Sequence, residues 1–337
     1  MKKSSLQTSF TLASVMLIIS FAITSCLNDD NPIKYPNGTV PDTAVFALTD
    51  INSVYDDYNL DLNQLYSSFA LIFSSNRNSS GGQFDIVQAG IQFGWDQTIG
   101  IFGYTAGMIS DAFYNALLSA ANTEGDDFGP YRFFSTLDGY EYTLLSSENE
   151  TEGLDFYYLK NLPSQTTVNP LIHGPYPATL LNTGSDEAYI SFDLNQDTAY
   201  FSSNRGGNFD IYTIQRPSGS TISDWLSGTF TVSTLVDSVN SIYEDKFPFL
   251  HRDILVFASN RPGGMGGYDL YYAIFRNGKW STPENLGPSI NTESDECRPV
   301  LGLLPGYTNY LIMFSSDRPG GKGGFDLYFT GILVGAD

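Results

Sequence analysis

Short apolar runs alternate with polar, glycine-bearing turns along most of this chain, and one kind of turn keeps returning. "SSNRNSSGGQFDIVQ" (Ser74–Gln88), "SSNRGGNFDIYTI" (Ser202–Ile214), "ASNRPGGMGGYDLYY" (Ala258–Tyr272) and "SSDRPGGKGGFDLY" (Ser315–Tyr328) each link two apolar runs through a glycine turn. A worn copy, "SSENETEGLDFYYL" (Ser146–Leu159), has Asn149 where the others have arginine. Two apolar runs around such a turn predict a β-hairpin. Glycine supplies the positive φ that tight turns require. Lys322 does not turn the last copy into a phosphate loop. It is followed by Gly323, Gly324 and a strand-like "FDLY", whereas a phosphate loop opens a helix.

A second motif sets the period. Asparagine stands four residues before a pair of acids at Asn52, Asn122, Asn182, Asn240 and Asn291, at intervals of 70, 60, 58 and 51 residues. Each interval has room for four short strands: one after the acid pair, two in the hairpin and one before the next asparagine. The chain after Asn291 is about one strand short of a repeat. The segment Pro41–Ile51 stands before Asn52 as "WSTPENLGPSI" stands before Asn291, and it supplies the missing piece. The expectation is an all-β, five-bladed β-propeller over residues 41–337, closed into a ring by its N-terminal strand, which removes exposed sheet edges.

"LVFASNRPGGMGGYDLYYAIFRNGKWSTPENLGPSINTESDE" resembles the TolB-type, WD-like propeller repeat of bacterial envelope proteins. The resemblance runs over residues 41–335, closely in the last three repeats and loosely in the first two. It implies a binding or scaffold module with envelope protein or cell-wall partners.

The first 25 residues read differently. Lys2 and Lys3 precede an apolar run from Phe10 to Ile23, then "ITSC". This is the pattern of a signal peptide, too short for a stable span. Its end resembles a bacterial lipobox, which implies cleavage before Cys26 and acylation of that cysteine. Residues 26–40, polar and proline-bearing, read as a flexible tether. The protein is therefore expected to be a monomeric outer-membrane lipoprotein, facing the periplasm or the cell surface. A formal net charge of −21 excludes nucleic acid as a partner and leaves the lipid as the membrane link. Cys297 has no disulfide partner once Cys26 is acylated, and it reads as a small buried residue.

The acid pairs Asp56-Asp57, Asp126-Asp127, Asp186-Glu187, Glu244-Asp245 and Asp295-Glu296 each precede the strand assigned to the centre of a blade. They are expected to ring the channel mouth on the face that carries the glycine turns. Two accounts offset their mutual repulsion: a bound cation such as calcium, or local arginines and backbone N–H groups. No cofactor is required. Arg77, Arg205, Arg261 and Arg318 end the first hairpin strand, and Asp85, Asp210, Asp269 and Asp326 begin the second. An arginine–aspartate brace across each turn is expected. Among enzyme signatures, H-x-x-x-H, C-x-x-C and G-x-S-x-G are all missing.

The function expected from these readings is non-catalytic binding of an envelope protein or glycan. The alternative is a carbohydrate-active propeller hydrolase that drafts channel-mouth carboxylates such as Asp186, Glu187, Glu244 and Glu296. The longest repeat carries an irregular apolar insertion, Gly94–Asn122. There Ser110 is expected to cap a short helix, and the insertion offers either a ligand or partner surface or a loop folded back on the barrel.

Overall fold

The computed structural model describes residues 32–62, 68–148, 153–163, 171–229 and 232–335. The signal peptide, Cys26 and Asn149 lie outside the described residues.

The strands form five antiparallel sheets, the blades of a propeller. The innermost strands are Asp57–Leu62, Asp127–Phe134, Glu187–Phe192, Asp245–His251 and Glu296–Gly302. In every blade the second acid of the pair is the first residue of the inner strand. The glycine hairpin forms the next two strands. The fifth blade takes its outer strand from the N-terminus: Phe46–Ala47 pairs with Asp326–Ile332, with Phe46 opposite Phe329. The ring closes as the partial repeats require.

The asparagine that marks each repeat fastens one blade to the next. The Asn52 side chain donates to the Leu327 carbonyl at 3.0 Å and accepts from the Leu327 N–H at 2.9 Å. Asn122 does the same to Ile86, Asn182 to Phe156, Asn240 to Ile211 and Asn291 to Leu270, all within 2.8–3.1 Å. A side-chain amide thus imitates one peptide of a neighbouring strand, and it satisfies backbone groups where no strand can follow. The glycine turns lie tight against the next blade. A Cβ on Gly323 would collide with the Tyr55 backbone, and one on Gly266 with the Ser294 carbonyl.

The segment expected to be a tether is packed from Lys34 onward. Lys34 and Tyr35 donate to the Gln97 carbonyl, Trp95 donates to the Tyr35 carbonyl, and buried Val40 exchanges hydrogen bonds with Asn309. Its polar composition hid an apolar anchor, Val40, and backbone groups that find partners on the first and last blades.

The insertion in the first blade extends the two outer strands, Asp85–Asp96 and Ile101–Met108, then forms the helix Ala112–Ala121. Asp111, not Ser110, caps that helix, accepting from the N–H groups of Phe113 and Tyr114. A carboxylate at this position also suits the positive end of the helix dipole. Leu117 and Ala121 pack on Ile72, Ile86, Leu145 and Leu159, so the helix wedges between blades one and two.

Candidate active site

The five inner acids are placed by the strand register. In blade one Ser75 stands opposite Asp57 on the inner strand and opposite Asp85 on the third. Ser203 stands between Glu187 and Asp210, Ser259 between Asp245 and Asp269, and Ser316 between Glu296 and Asp326 in the same way. The arginine two residues after each serine could therefore turn inward or outward.

It turns inward. Arg77 pairs with Asp57, Arg205 with Glu187 at 3.0 Å, Arg261 with Asp245 and Arg318 with Glu296 at 2.9 Å. The expected brace from Arg77 to Asp85, Arg205 to Asp210, Arg261 to Asp269 and Arg318 to Asp326 is corrected accordingly. Asp57, Glu187, Asp245 and Glu296 are fully buried and need a counter-charge. Burial alone does not choose, because Asp269 and Asp326 are buried as deeply as the inner acids. The difference is that N–H groups of the glycine turns already serve those two aspartates: Asp269 accepts from the N–H of Met265 and Gly266, and Asp326 from those of Lys322 and Gly323. Each guanidinium also lies over aromatic rings of its blade, Arg318 at 5.0 Å from both Phe314 and Tyr328.

The first acid of four of the five pairs reaches back to the preceding blade. Asp56 accepts from the Phe325 N–H, Asp126 from Phe84, Asp186 from Leu154 and Asp295 from Tyr268. Glu244 departs from this pattern and pairs with Lys246 at 2.9 Å. The carboxylates expected to converge on the channel mouth are thus bound between and within blades. Among the described residues, no cluster of three or more His, Cys, Asp or Glu side chains could hold a metal ion. Cys297 is a buried free thiol, and burial pushes its pKa up.

A concave site opens on the opposite face, where the inner strands end. It is a basin of about 420 Å³, within the usual range for small-molecule sites. Its wall is aromatic. Phe133 stacks on Tyr142 at 5.4 Å and meets Phe192 at 4.8 Å, and Tyr131 lies 5.8 Å from Phe192. Phe113 and Tyr114 of the inserted helix close one side, and the exposed Phe134, Leu194 and Leu303 form part of the rim.

Polar groups are set into this wall. Glu141, at the start of the second strand of blade two, accepts from Asn161 Nδ2 at 2.9 Å. Asp193, in the turn after the inner strand of blade three, accepts from the N–H groups of Asp197 and Thr198. Among the described residues each of these carboxylates commits one oxygen to those bonds. Arg132 is held by Asp61 at 3.1 Å and donates to the Tyr114 hydroxyl at 2.9 Å. His251 also lines the basin, edge-on to Tyr310, and burial lowers its pKa to about 4, so it is neutral near pH 7. None of the basin's polar residues belongs to a repeated motif. Sequence reasoning missed them because they sit in strands and turns away from the repeated motifs, where the blades differ. The signal that could have found them was the aromatic inner strand "YRFF", Tyr131–Phe134, unlike its four counterparts.

Searches against family models and against curated protein sequences find no match. Solved structures do match. A thermostable family-43 glycoside hydrolase aligns with a TM-score of 0.52 at 13% identity, covering 82% of this chain and 90% of its own. The endo-arabinase of Bacteroides thetaiotaomicron aligns at 0.50 with 14% identity, covering 88% and 98%. An α-L-arabinofuranosidase from Podospora anserina, solved with cellotriose, aligns at 0.50 with 10% identity, covering 88% and 97%. At these identities the likeness establishes the five-bladed fold. It also corrects the sequence reading. The TolB-type, WD-like resemblance finds no matching family model, and the propellers that share this architecture are named as glycoside hydrolases. The non-catalytic binding role drawn from that resemblance falls with it.

Proposed function

We propose that this chain is a carbohydrate-active propeller hydrolase that takes a saccharide in the basin where the inner strands end. The observation that carries the reading is the basin's composition: two carboxylates, Glu141 and Asp193, in a cavity with aromatic walls. The apolar faces of sugar rings pack on aromatic side chains, and sugar hydroxyls suit the polar Asn161, Gln196 and Arg252 of the lining. Glycoside cleavage needs one carboxylic acid to protonate the departing oxygen. A second carboxylate then either activates water or attacks the sugar carbon. Glu141 and Asp193 are the pair assigned to those roles. Asp186, Glu187, Glu244 and Glu296 are not, because each is engaged in bonding within a blade or between blades.

Solved propellers of this architecture include an endo-arabinase, an α-L-arabinofuranosidase and an exo-β-1,3-galactanase, so arabinan is the first substrate to offer, with galactan beside it. The assay is release of reducing ends. The wild-type protein is expected to release them from at least one polymer. Glu141→Gln and Asp193→Asn should each lower the rate by about 100-fold or more, the usual contribution of a positioned acid or base. No release from any polymer, or full activity in both variants, would overturn the reading.

We also propose that the chain is anchored at the cell envelope through a lipid on Cys26, on the pattern of the first 26 residues. A glycan met at the periplasmic or outer face is then its natural partner.

A further inference from the structure

Five residues at matching positions of the inner strands have left-handed backbone: Asn59, Gly129, Tyr189, Phe247 and Arg298, with φ between 48° and 61°. Each belongs to an irregularity in the pairing of inner and second strands. Together they form a belt around the propeller axis. The belt is closed to solvent: Asn59 and Arg298 are fully buried, and Tyr189 and Phe247 are nearly so.

Arg298 is the anomaly in this belt. Its Nη2 donates to the Pro130 carbonyl at 3.2 Å, while Nε and Nη1 have no acceptor among the described residues. At the matching position of the first blade, the Asn59 side-chain amide makes no hydrogen bond of ordinary geometry among the described residues, although the Asn59 backbone N–H donates to Ser315 Oγ. A guanidinium does not lose its proton in a protein, and buried donors without acceptors are costly. The nearby charges do not balance. Asp61 faces two guanidiniums, and its hydrogen bonds go to Arg132. The neighbouring phenols of Tyr58 and Tyr189 supply no negative charge, because burial pushes both upward, Tyr189 to about 12. One positive charge and at least three N–H bonds are left over on the axis.

We propose that the axis binds a monatomic anion of the chloride class, held by Arg298 Nε and Nη1 with the Asn59 amide as a further donor. A halide matches the excess charge, accepts several N–H bonds and is small enough for an enclosed belt, whereas an organic acid would need an opening. This is a structural site beneath the basin, whose own donors, Arg298 and Asn59, do not line the basin.

Bromide is the probe. Crystals grown in sodium bromide should show one anomalous peak on the axis, within hydrogen-bond reach of Arg298. Water alone at that position, or no peak, would overturn the proposal. In solution, chloride should raise the Tm in a saturable way over gluconate at equal ionic strength, by about 5 °C at a hundredfold excess over Kd. Equal Tm values in the two salts would also refute it. Arg298→Met should lose the chloride response. If that variant does not fold, the wild-type salt comparison and the bromide map still decide.

Discussion

Asn52 and Leu327, 275 positions apart, exchange two hydrogen bonds: the asparagine amide donates to the leucine carbonyl and accepts from its N–H. This contact locks the last blade to the first. Asn52→Ala would leave a buried donor and a buried acceptor without partners. The expected cost is about 2–4 kcal/mol, read as a lower urea midpoint at unchanged m-value. A loss below about 0.5 kcal/mol would remove the asparagine from the set of blade-locking residues.

The buried acids predict a contrast between blades. Arg77 and Asp57 form a salt bridge, so Asp57→Asn leaves a guanidinium without its counter-charge and should cost about 3 kcal/mol at pH 7. Asp127 is held by Ser147 and Thr123 in the blade whose arginine position is Asn149. Burial pushes its carboxyl up to about 6, against hydrogen bonds that pull it down. The unfolded chain releases this proton near pH 3.9, so between the two values the folded chain holds more protons. The stability it contributes is full below about pH 3.9 and is lost as pH rises through about 6. Asp127→Asn should therefore gain on wild type between pH 4 and pH 7, by on the order of 2 kcal/mol. Urea unfolding at both pH values measures it, and parallel pH profiles for variant and wild type would count against the assignment.

His251 predicts the opposite slope. Its pKa is lowered to about 4, by burial first and by Arg252 second. Its share of stability is present above about pH 6.5 and is lost as pH falls toward 4. Replacing His251 with Gln should flatten the acid side of the stability profile between those limits. An unchanged profile would mean that the imidazole does not titrate in the folded basin.

The lipid anchor has its own test. Cys26→Ser should move the protein from the membrane to the soluble fraction, because one acylated residue supplies the attachment. Retention of that variant in membranes would refute it.

The ring was legible because closure depends on groups that every blade repeats. Asparagine, acid pair and glycine turn each form the same bonds five times or nearly so, and repetition along the chain exposes the period. The partner of each arginine was not legible. Ser75 stands between Asp57 and Asp85 in the register, and both acids lie within reach of Arg77's position. In this blade Asp57 is fully buried and Asp85 only partly, a difference that the sequence does not carry. The basin was hidden for the converse reason. Glu141, Asp193 and His251 come from strand ends and a turn of three different blades, share no motif, and meet only when the ring has closed.

The measurement that bears most directly on the account is a crystal structure of the Glu141→Gln protein with an arabino- or galacto-oligosaccharide. The account predicts the sugar in the inner-strand basin, packed on Phe133 or Phe134, with a glycosidic oxygen within hydrogen-bond reach of residue 141 or Asp193. A sugar bound instead among the glycine turns, beside Asp186 and Glu244, would contradict it.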